Sequence, residues 1–479
     1  MKKKILIKQS NFYNNRNILI LSILLLTVSL CASNWNPFNL ARYRMVRDID
    51  NTMSQYYKPN EPGAVALVCI DNEVVYRKAF GMADLQLDCH LEPEMLFKIG
   101  SMTKQFTAVA IMLLVEDGNL KLDDSIYDYL PEFPQKSYPI TIEHLLTHTS
   151  GIKDFIDYKN IRNDCNVDCL IDGFKDEPLL FVPGSQMKYS NPGYVLLGKI
   201  IESVSGNSYQ EFMTSRIFTP LGMNNTFCGD NSKIINGLAS GYRKNDELYI
   251  NAPYMSMTHP YSAGCLISNV DDLVMWYKAL IEGRLISKEY LRKCFTPYTL
   301  NDGNKSDYGY GWYVNKFKEK YNIFHGGGVF GFVVHGMYLP QENAYIVLLS
   351  NRINPTAVPG TQGIAEMIAA IAIGDPMEII DKNDFHISGD QLIKYAGKYY
   401  SYTNGTVNRQ RYRLIMVENE KIYLGLNTAK RIEIKPSSTT EFFVKGVPGS
   451  IEFQIDGTGQ VERFIQKRAN GEVWTWIKE

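Results

Sequence analysis

The sequence has little net charge, no concentrated basic segment and no paired metal-binding cysteines. Its 50 Lys and Arg residues face 51 Asp and Glu residues, which gives a formal net charge of −1. Nucleic acids and anionic membranes attract clustered positive charge, so nucleic acid is not expected as a partner. The eight cysteines form no Cys-x-x-Cys pair and are not interleaved with histidines, which argues against a structural zinc site. Internal repeats and low-complexity segments are also absent.

One apolar run stands near the N-terminus, and it is short. Residues 18–30 are interrupted only by two serines and a threonine, and several lysines and an arginine precede them. This pattern predicts a secretory signal over residues 1–33, because the run is too short for a comfortable membrane span. The expected location is the periplasm. Lipidation at Cys31 and an uncleaved membrane anchor are the alternatives, although Leu30 does not favour lipidation.

The remaining composition is that of a folded protein with about two or three domains. Hydrophobic residues make up 45% and charged residues 21% of the chain. Cys165 and Cys169 lie close together in a polar segment, and an exported protein could join them in a small-loop disulfide. The alternative is unpaired buried thiols, as expected for Cys69 and Cys265 in their apolar surroundings.

Hydrophobic periodicity predicts a mixed α/β domain over residues 42–375. The pattern places helices at 42–57, 101–118, 194–204 and 271–280, and strands at 64–70, 74–80, 308–314, 323–324, 332–338 and 344–350. The two early strands read as a hairpin, and they are expected to share one sheet with the late strands. The helical portion lies between them in the sequence.

A second, all-β domain is predicted over residues 391–479, after a polar linker at 376–390. Turn residues separate eight short alternating segments, a spacing typical of a small sandwich or barrel. These segments are 398–402, 412–418, 421–425, 432–435, 441–445, 451–455, 461–467 and 473–477.

Ser101 and Lys104 form the first candidate for chemistry. Residues three apart on a helix share a face, so the Lys104 amine can reach the Ser101 hydroxyl. A desolvated lysine can act as a base, and a helix N-terminus favours a developing oxyanion. Alone the pattern is weak, because Ser101 could equally be a helix cap with Lys104 in solvent.

Two further motifs contain candidate site residues. Tyr189 and Asn191 form a Tyr-x-Asn triplet before a helix; flanking cations would lower the Tyr189 pKa, and Asn191 could bind a substrate amide or orient the lysine. A polar helix cap is the alternative. In the segment after His325, Gly327 and Gly328 let a strand edge approach a substrate closely. This segment matches G-x-G-x-x-G, but a strand follows it, so dinucleotide binding is rejected.

His144 and His148 stand four residues apart, a spacing that can bind a metal on a helix. No His-Glu-x-x-His motif is present, and Ser150-Gly151 ends the segment. Helix packing or capping is therefore the expected role, and neither a metal nor a cofactor is expected.

The order Ser-x-x-Lys, Tyr-x-Asn, His-x-Gly resembles the serine β-lactamase and penicillin-binding protein superfamily, in its class C β-lactamase, D-alanyl-D-alanine carboxypeptidase and esterase branch. The resemblance covers roughly residues 52–351 and includes supporting segments at 144–152, 218–226, 262–276 and 308–312. It implies an antiparallel sheet with helices on both faces and a mainly helical subdomain. The start of the second domain resembles small lipocalin-like barrels appended to peptidase-like relatives, which cover the cleft, mediate association or simply pack.

The resemblance also implies roles for the site residues. Ser101 is expected to be acylated, Lys104 to assist its deprotonation and Tyr189 to serve as a shared acid and base. Asn191 is expected to position the lysine and the substrate. The backbone N–H groups of Ser101 and Gly328 are expected to form an oxyanion hole.

His325 departs from the lysine that most β-lactamases have in the third motif, and a histidine supplies positive charge only when protonated. Efficient β-lactam hydrolysis is therefore in doubt. The leading hypothesis is a serine hydrolase acting on a small-molecule, peptide or ester acyl substrate. The alternatives are an acyltransferase with an alcohol acceptor, a β-lactamase, or a non-catalytic cell-wall-binding protein.

Overall fold

The computed structural model describes residues 37–155, 159–245, 248–354, 359–379, 385–403, 405–428, 431–468 and 470–479. The predicted signal at 1–33, with Cys31, lies outside these residues, as does part of the predicted linker. The chain divides into two units between Asn51 and Thr52. A helix spans Pro37–Tyr56. None of the helices in the described ranges has both the length and the apolar character needed to cross a membrane.

A six-stranded antiparallel sheet organises the first part of the second unit. Its strands, in spatial order, are Tyr313–Phe317, Lys320–Val329, Phe332–Leu339, Ala344–Ser350, Ala64–Ile70 and Glu73–Phe80. Ala64 pairs with Ser350 and Ile70 with Ala344, which confirms that the early and late strands share one sheet. The strands Ala344–Ser350 and Ala64–Ile70 are apolar along almost their whole length because both of their faces are covered.

Helices cover both faces of this sheet. The helix Val270–Glu282 packs on one face, where Val347 and Leu349 belong to the same core. The helix Thr361–Ala372 packs against the same strand, and alternate strand residues face opposite ways. The predicted β-lactamase-like α/β fold is confirmed.

The other helices of this part lie between the early and late strands. They are Thr103–Glu116, Ile142–Leu146, Val167–Asp172, Asn191–Ser205, Tyr209–Met213, Thr219–Leu221, Tyr261–Gly264 and Lys288–Cys294. We call Thr103–Glu116 the serine helix. It is buried on nearly all sides, and its Phe106 stacks on Trp276 with ring centroids 4.0 Å apart.

Short strands complete this part. One small sheet consists of Met82–Asp84 and Cys89–His90. A second consists, in spatial order, of Phe97–Lys98, Leu266–Ser268 and Phe227–Cys228. A third consists of Arg352–Ile353, Tyr242–Asn245 and Leu248–Asn251. The disulfide Cys165–Cys169 is formed, whereas Cys69 and Cys265 are buried and unpaired.

The prediction of a strand over 308–314 was wrong for most of its length. The strand begins only at Tyr313, because the preceding backbone turns back on itself. Gly309 N–H donates to the Trp312 carbonyl at 2.9 Å, and Gly311 has φ +88°. A Cβ at Gly309 would lie 2.1 Å from the Cys294 carbonyl oxygen. The alternation of glycine with larger residues in this segment therefore reflects close backbone packing and not a strand.

The C-terminal part is a closed eight-stranded antiparallel barrel, as the alternating segments indicated. Its strands are Gly397–Thr403, Thr406–Glu418, Lys421–Gly425, Arg431–Pro436, Glu441–Phe443, Gly449–Ile455, Val461–Arg468 and Val473–Lys478. A short helix, Gly389–Leu392, precedes it. An aromatic cluster that includes Tyr399, Phe453, Phe464 and Trp476 fills its interior.

Asn351 joins the large sheet to two neighbouring segments. Its side-chain oxygen accepts from Gly63 N–H at 2.7 Å, and its amide donates to the carbonyls of Met82 at 3.0 Å and Ser240 at 2.9 Å. The side chain is completely buried. Its loss would leave several buried polar groups without partners.

We therefore expect Asn351→Ala to lower the free energy of unfolding by about 3 kcal/mol, since each stranded polar group keeps its desolvation cost. Urea denaturation followed by tryptophan fluorescence measures this change. The exposed Asn224→Ala is the matched control, expected to stay within about 0.5 kcal/mol of the wild type. Equal effects of the two substitutions would refute the structural role of Asn351.

Candidate active site

Ser101 lies in a single 3-10 turn, Gly100–Met102, immediately before the serine helix. Gly100 has φ +50°, and a Cβ there would lie 2.9 Å from the backbone nitrogen of Gly328. A side chain at residue 100 would be both strained and obstructed. The glycine therefore lets the turn that carries Ser101 pack directly against the strand that carries Gly328.

Lys104 lies one turn further on and is fully buried. Its Nζ lies 3.2 Å from Ser101 Oγ, 2.9 Å from Asn191 Oδ1 and 2.7 Å from the carbonyl oxygen of Ala263. Burial lowers the pKa of Lys104 to about 7, against the opposing effect of the Asp154 carboxylate. A large fraction of this side chain is therefore an uncharged amine near neutral pH, held against the serine hydroxyl.

Asp154 fixes the orientation of Asn191. Its Oδ1 accepts from the Asn191 backbone N–H at 2.8 Å and from the side-chain amide nitrogen at 3.2 Å. With the amide nitrogen turned to the carboxylate, the amide oxygen points at Lys104. Sequence reasoning missed Asp154. The available signal was its position directly after the segment 144–152, in a loop that returns to the site.

Tyr189 stands beside Ser101 and Lys104. The Lys104 Nζ lies 4.9 Å from the centre of its ring, and the Ser101 side chain is close enough to act on the pKa of the phenol, which it lowers. Burial nevertheless raises the pKa of Tyr189 well above its ordinary value. The condition under which this pKa would fall, a dominant influence of flanking cations, is not met, because burial is the largest influence on it. Tyr189 is a neutral phenol in this site.

His148 packs against the ring of Tyr189. It is buried, and its ring lies 4.3 Å from that of Tyr189 and 4.6 Å from that of Tyr308. Its Nδ1 accepts from the Ser190 backbone N–H at 3.1 Å, and burial with the nearby Lys104 holds its pKa well below the usual range. It is a neutral packing residue that places the Tyr-x-Asn segment.

His144 has the capping role that was expected for the histidine pair. Its ring accepts from the Thr141 backbone N–H, and Thr141 in turn caps the helix Ile142–Leu146. His148 lies beyond the end of that helix, with φ +57°. Within the ranges that the structure describes, no group of three or more His, Cys, Asp or Glu residues could hold a metal ion.

His325 is buried and uncharged. Burial and the nearby Lys104 lower its pKa to about 3. Its Nδ1 contacts the Gly326 carbonyl, which can only accept, so Nδ1 carries the proton and Nε2 accepts from the Tyr308 hydroxyl at 3.0 Å. The side chain therefore supplies no fixed positive charge to a substrate.

The two candidate glycines have different surroundings. Gly328 is exposed, and a Cβ there would meet nothing within 4 Å. Gly327 is buried, and a Cβ there would lie 1.9 Å from the Ile99 carbonyl oxygen. Gly328 thus faces the space around Ser101, whereas Gly327 lets the strand pack on the residue before the Ser101 turn. The structure does not bring Gly327 to the substrate side.

Two cavities meet at Ser101 and Gly328. The first has a volume of about 520 Å³ and a mainly apolar wall that includes Phe155, Leu170 and Phe174. The Cys165–Cys169 disulfide and Asn191 also line it. The second, also about 520 Å³, is open to solvent and is lined by Tyr189 and His325. The arrangement suits a nucleophile that attacks a substrate lying across both cavities.

Comparison with known proteins agrees with this geometry. The family model described as Beta-lactamase matches residues 49–369. The chain is 32% identical over 417 residues to Penicillin-binding protein 4* of Bacillus subtilis, covering 82% of this chain and 90% of that protein. It is 26% identical to the D-aminopeptidase of Gluconobacter oxydans, covering 66% of this chain and 60% of that protein.

A solved structure extends the similarity to the barrel. The octameric penicillin-binding protein homologue from Pyrococcus abyssi aligns with a TM-score of 0.63 and 27% identity, over 92% of this chain and 100% of that one. The family model alone matches about two thirds of the sequence. The chain therefore belongs to the serine β-lactamase and penicillin-binding protein superfamily, and it is a serine hydrolase.

Proposed function

We propose that this protein hydrolyses a peptide or ester through an acyl-enzyme on Ser101. The observation that carries the proposal is the contact between the Ser101 hydroxyl and the buried Lys104 amine, whose pKa is lowered to about 7. A neutral amine at hydrogen-bond distance is a general base for the hydroxyl. Relatives named penicillin-binding protein and D-aminopeptidase support an amide-bearing substrate.

The proton movements follow from the protonation states of Lys104 and Tyr189. The Lys104 amine takes the Ser101 proton as Oγ attacks the carbonyl carbon, and the backbone N–H groups of Ser101 and Gly328 stabilise the oxyanion. Tyr189, a neutral phenol, donates its proton to the leaving group as that bond breaks. The Lys104 ammonium then reprotonates the phenolate, and water attacks the acyl-enzyme to release the acid and free Ser101.

The two cavities would hold different parts of the substrate. A proton donor must lie beside the leaving group, and Tyr189 lines the second cavity. We therefore assign the leaving group to the second cavity and the acyl group to the apolar first cavity. The mainly apolar wall of the first cavity favours an acyl group with a hydrophobic side chain.

The same geometry bears on the alternatives. An acyltransferase must exclude water from its acceptor site, whereas the second cavity is open to solvent, which favours hydrolysis. The uncharged His325 gives no ionic contact for a β-lactam carboxylate.

The nucleophile is tested by labelling the protein with a fluorophosphonate probe. The wild type is expected to incorporate the probe and Ser101→Ala to incorporate none, because Oγ forms the covalent bond. The exposed Ser203→Ala is the control and is expected to label normally. Equal labelling of wild type and Ser101→Ala would overturn the assignment.

The base is tested by the pH dependence of kcat/KM for an uncharged ester. Below pH 7 Lys104 is protonated and cannot accept a proton, so activity is expected to rise with pH through a midpoint near 7. Lys104→Arg, which stays protonated, is expected to lose about 10³-fold in kcat/KM. A rate that is flat between pH 5 and 9, or near-normal turnover by Lys104→Arg, would contradict this role.

Asp154 raises the Lys104 pKa, so its removal has a defined sign. Asp154→Asn keeps an acceptor for Asn191 but removes the charge, and the midpoint of the pH profile is expected to move to lower pH. Glu177→Gln, which alters a carboxylate paired with Lys153 at the surface, is the control with no expected shift. An unchanged or higher midpoint in Asp154→Asn would show that the carboxylate does not act on Lys104.

A further inference from the structure

The barrel meets the catalytic domain beside the active site. The turn between the barrel strands Val461–Arg468 and Val473–Lys478 lies against Lys318, which forms the tip of a hairpin of the large sheet. The Lys318 N–H donates to the Asn470 carbonyl at 2.7 Å. A Cβ at Gly471 would lie only 3.7 Å from Lys318 Cα. The Lys318 ammonium in turn pairs with Asp375 at 2.7 Å.

This placement makes the barrel one wall of the second cavity. Ser101, Tyr189 and His325 line the cavity from the catalytic domain, and Arg468, Glu472 and Trp474 line it from the barrel. A leaving group that receives a proton from Tyr189 therefore extends toward barrel side chains. The barrel is part of the space that the substrate would occupy.

Three arginines cluster at this end of the barrel. Arg411 and Arg468 lie over the ring of Trp474, with guanidinium carbons 4.3 and 5.2 Å from its centroid, and Arg413 lies 4.8 Å from the centroid of Trp476. Arg411 and Arg413 are alternate residues of one strand, so they point to the same side. Burial and the charges of its two arginine neighbours lower the pKa of Arg413, as mutual repulsion requires.

The carboxylates around this cluster do not balance it. In the part of the chain that the structure describes, the three arginines form one ion pair, between Arg468 and Glu472 at 2.8 Å. Glu366 also interacts electrostatically with Arg468, which lowers the Glu366 pKa, whereas burial raises it. Asp307 lines the cavity from the catalytic domain, close to Tyr313. This end of the barrel thus carries three arginines against the one paired carboxylate of Glu472, and Asp307 adds a negative charge on the catalytic wall.

From this charge distribution we infer that Arg468, supported by Arg411, binds a carboxylate or similar anionic group on the leaving group of the substrate. Trp474 offers a flat apolar surface next to both guanidinium groups, and arginine is suited to planar two-point contact with a carboxylate. The uncharged His325 leaves the catalytic wall without that charge, and the barrel supplies it. The inference rests on the proposed hydrolysis and narrows its substrate class.

Two esters with a common phenylacetyl group test the inference. One releases 4-hydroxybenzoate, which is anionic, and the other releases 4-hydroxybenzamide, which is neutral and of similar shape. The measured quantity is the ratio of kcat/KM for the anionic ester to that for the neutral ester. In the wild type we expect the anionic ester to be preferred, with a preference that falls as salt is raised.

Substitutions of the cationic and of the anionic residues around the cavity should change this ratio in opposite directions. Arg468→Gln is expected to lower it about five- to tenfold, mainly through KM, because one partly exposed charge contact is lost. Glu472→Gln and Asp307→Asn remove competing negative charges and are expected to raise it. Arg463→Gln, on the same barrel strand but outside the cavity lining, is the matched control and should leave it unchanged.

The outcomes separate this inference from the proposed function. Normal turnover of the neutral ester by Arg468→Gln with an unchanged ratio would overturn the anion site and leave the hydrolase intact. If the wild type cleaves neither ester, binding decides: Ser101→Ala should bind 4-hydroxybenzoate more tightly than 4-hydroxybenzamide in calorimetry, and Arg468→Gln should abolish the difference. Equal binding of the two compounds by Ser101→Ala would refute the site independently of catalysis.

Discussion

The chemistry of this protein depends on burying one lysine. Transfer of an ammonium from water to a protein interior costs several kcal/mol unless oxygens replace its hydration. The side-chain oxygens of Ser101 and Asn191 and the Ala263 carbonyl partly replace it around Lys104. The remaining cost appears as the lowered pKa. Because those oxygens come from three separated segments, the site exists only when the whole domain is folded.

The protonation states of the neighbours follow from that one burial. Tyr189, His148 and His325 lie close to Lys104, and desolvation is the largest effect on the pKa of each. The phenol is therefore kept protonated and both imidazoles are kept neutral. A site assembled from one lysine, one tyrosine and two histidines thus carries little net charge. Discrimination by charge must then come from residues further from the nucleophile.

Helices and strands with a regular hydrophobic pattern were predictable from the sequence. Contacts between residues that are distant in the sequence were not. The strands Ala64–Ile70 and Ala344–Ser350 and the eight barrel strands followed from alternation or continuous apolar runs. Ser101, Lys104, Tyr189 and Asn191 followed from short motifs. The missed features depend on neighbours distant in the sequence: Asp154 beneath Asn191, and the direction of the Tyr189 pKa shift. The barrel wall of the second cavity also lies beyond any local pattern.

The Cys165–Cys169 disulfide gives the first cavity a dependence on its chemical surroundings. Disulfides persist in oxidising compartments and are reduced in the cytosol, and this one forms part of the cavity wall. In a reducing medium the same wall would be held by non-covalent packing alone. The shape offered to the acyl group is therefore set partly by the redox conditions under which the chain matures. Protein produced in a reducing host would lack this covalent link in the wall of the first cavity, whereas protein produced in an oxidising host would contain it.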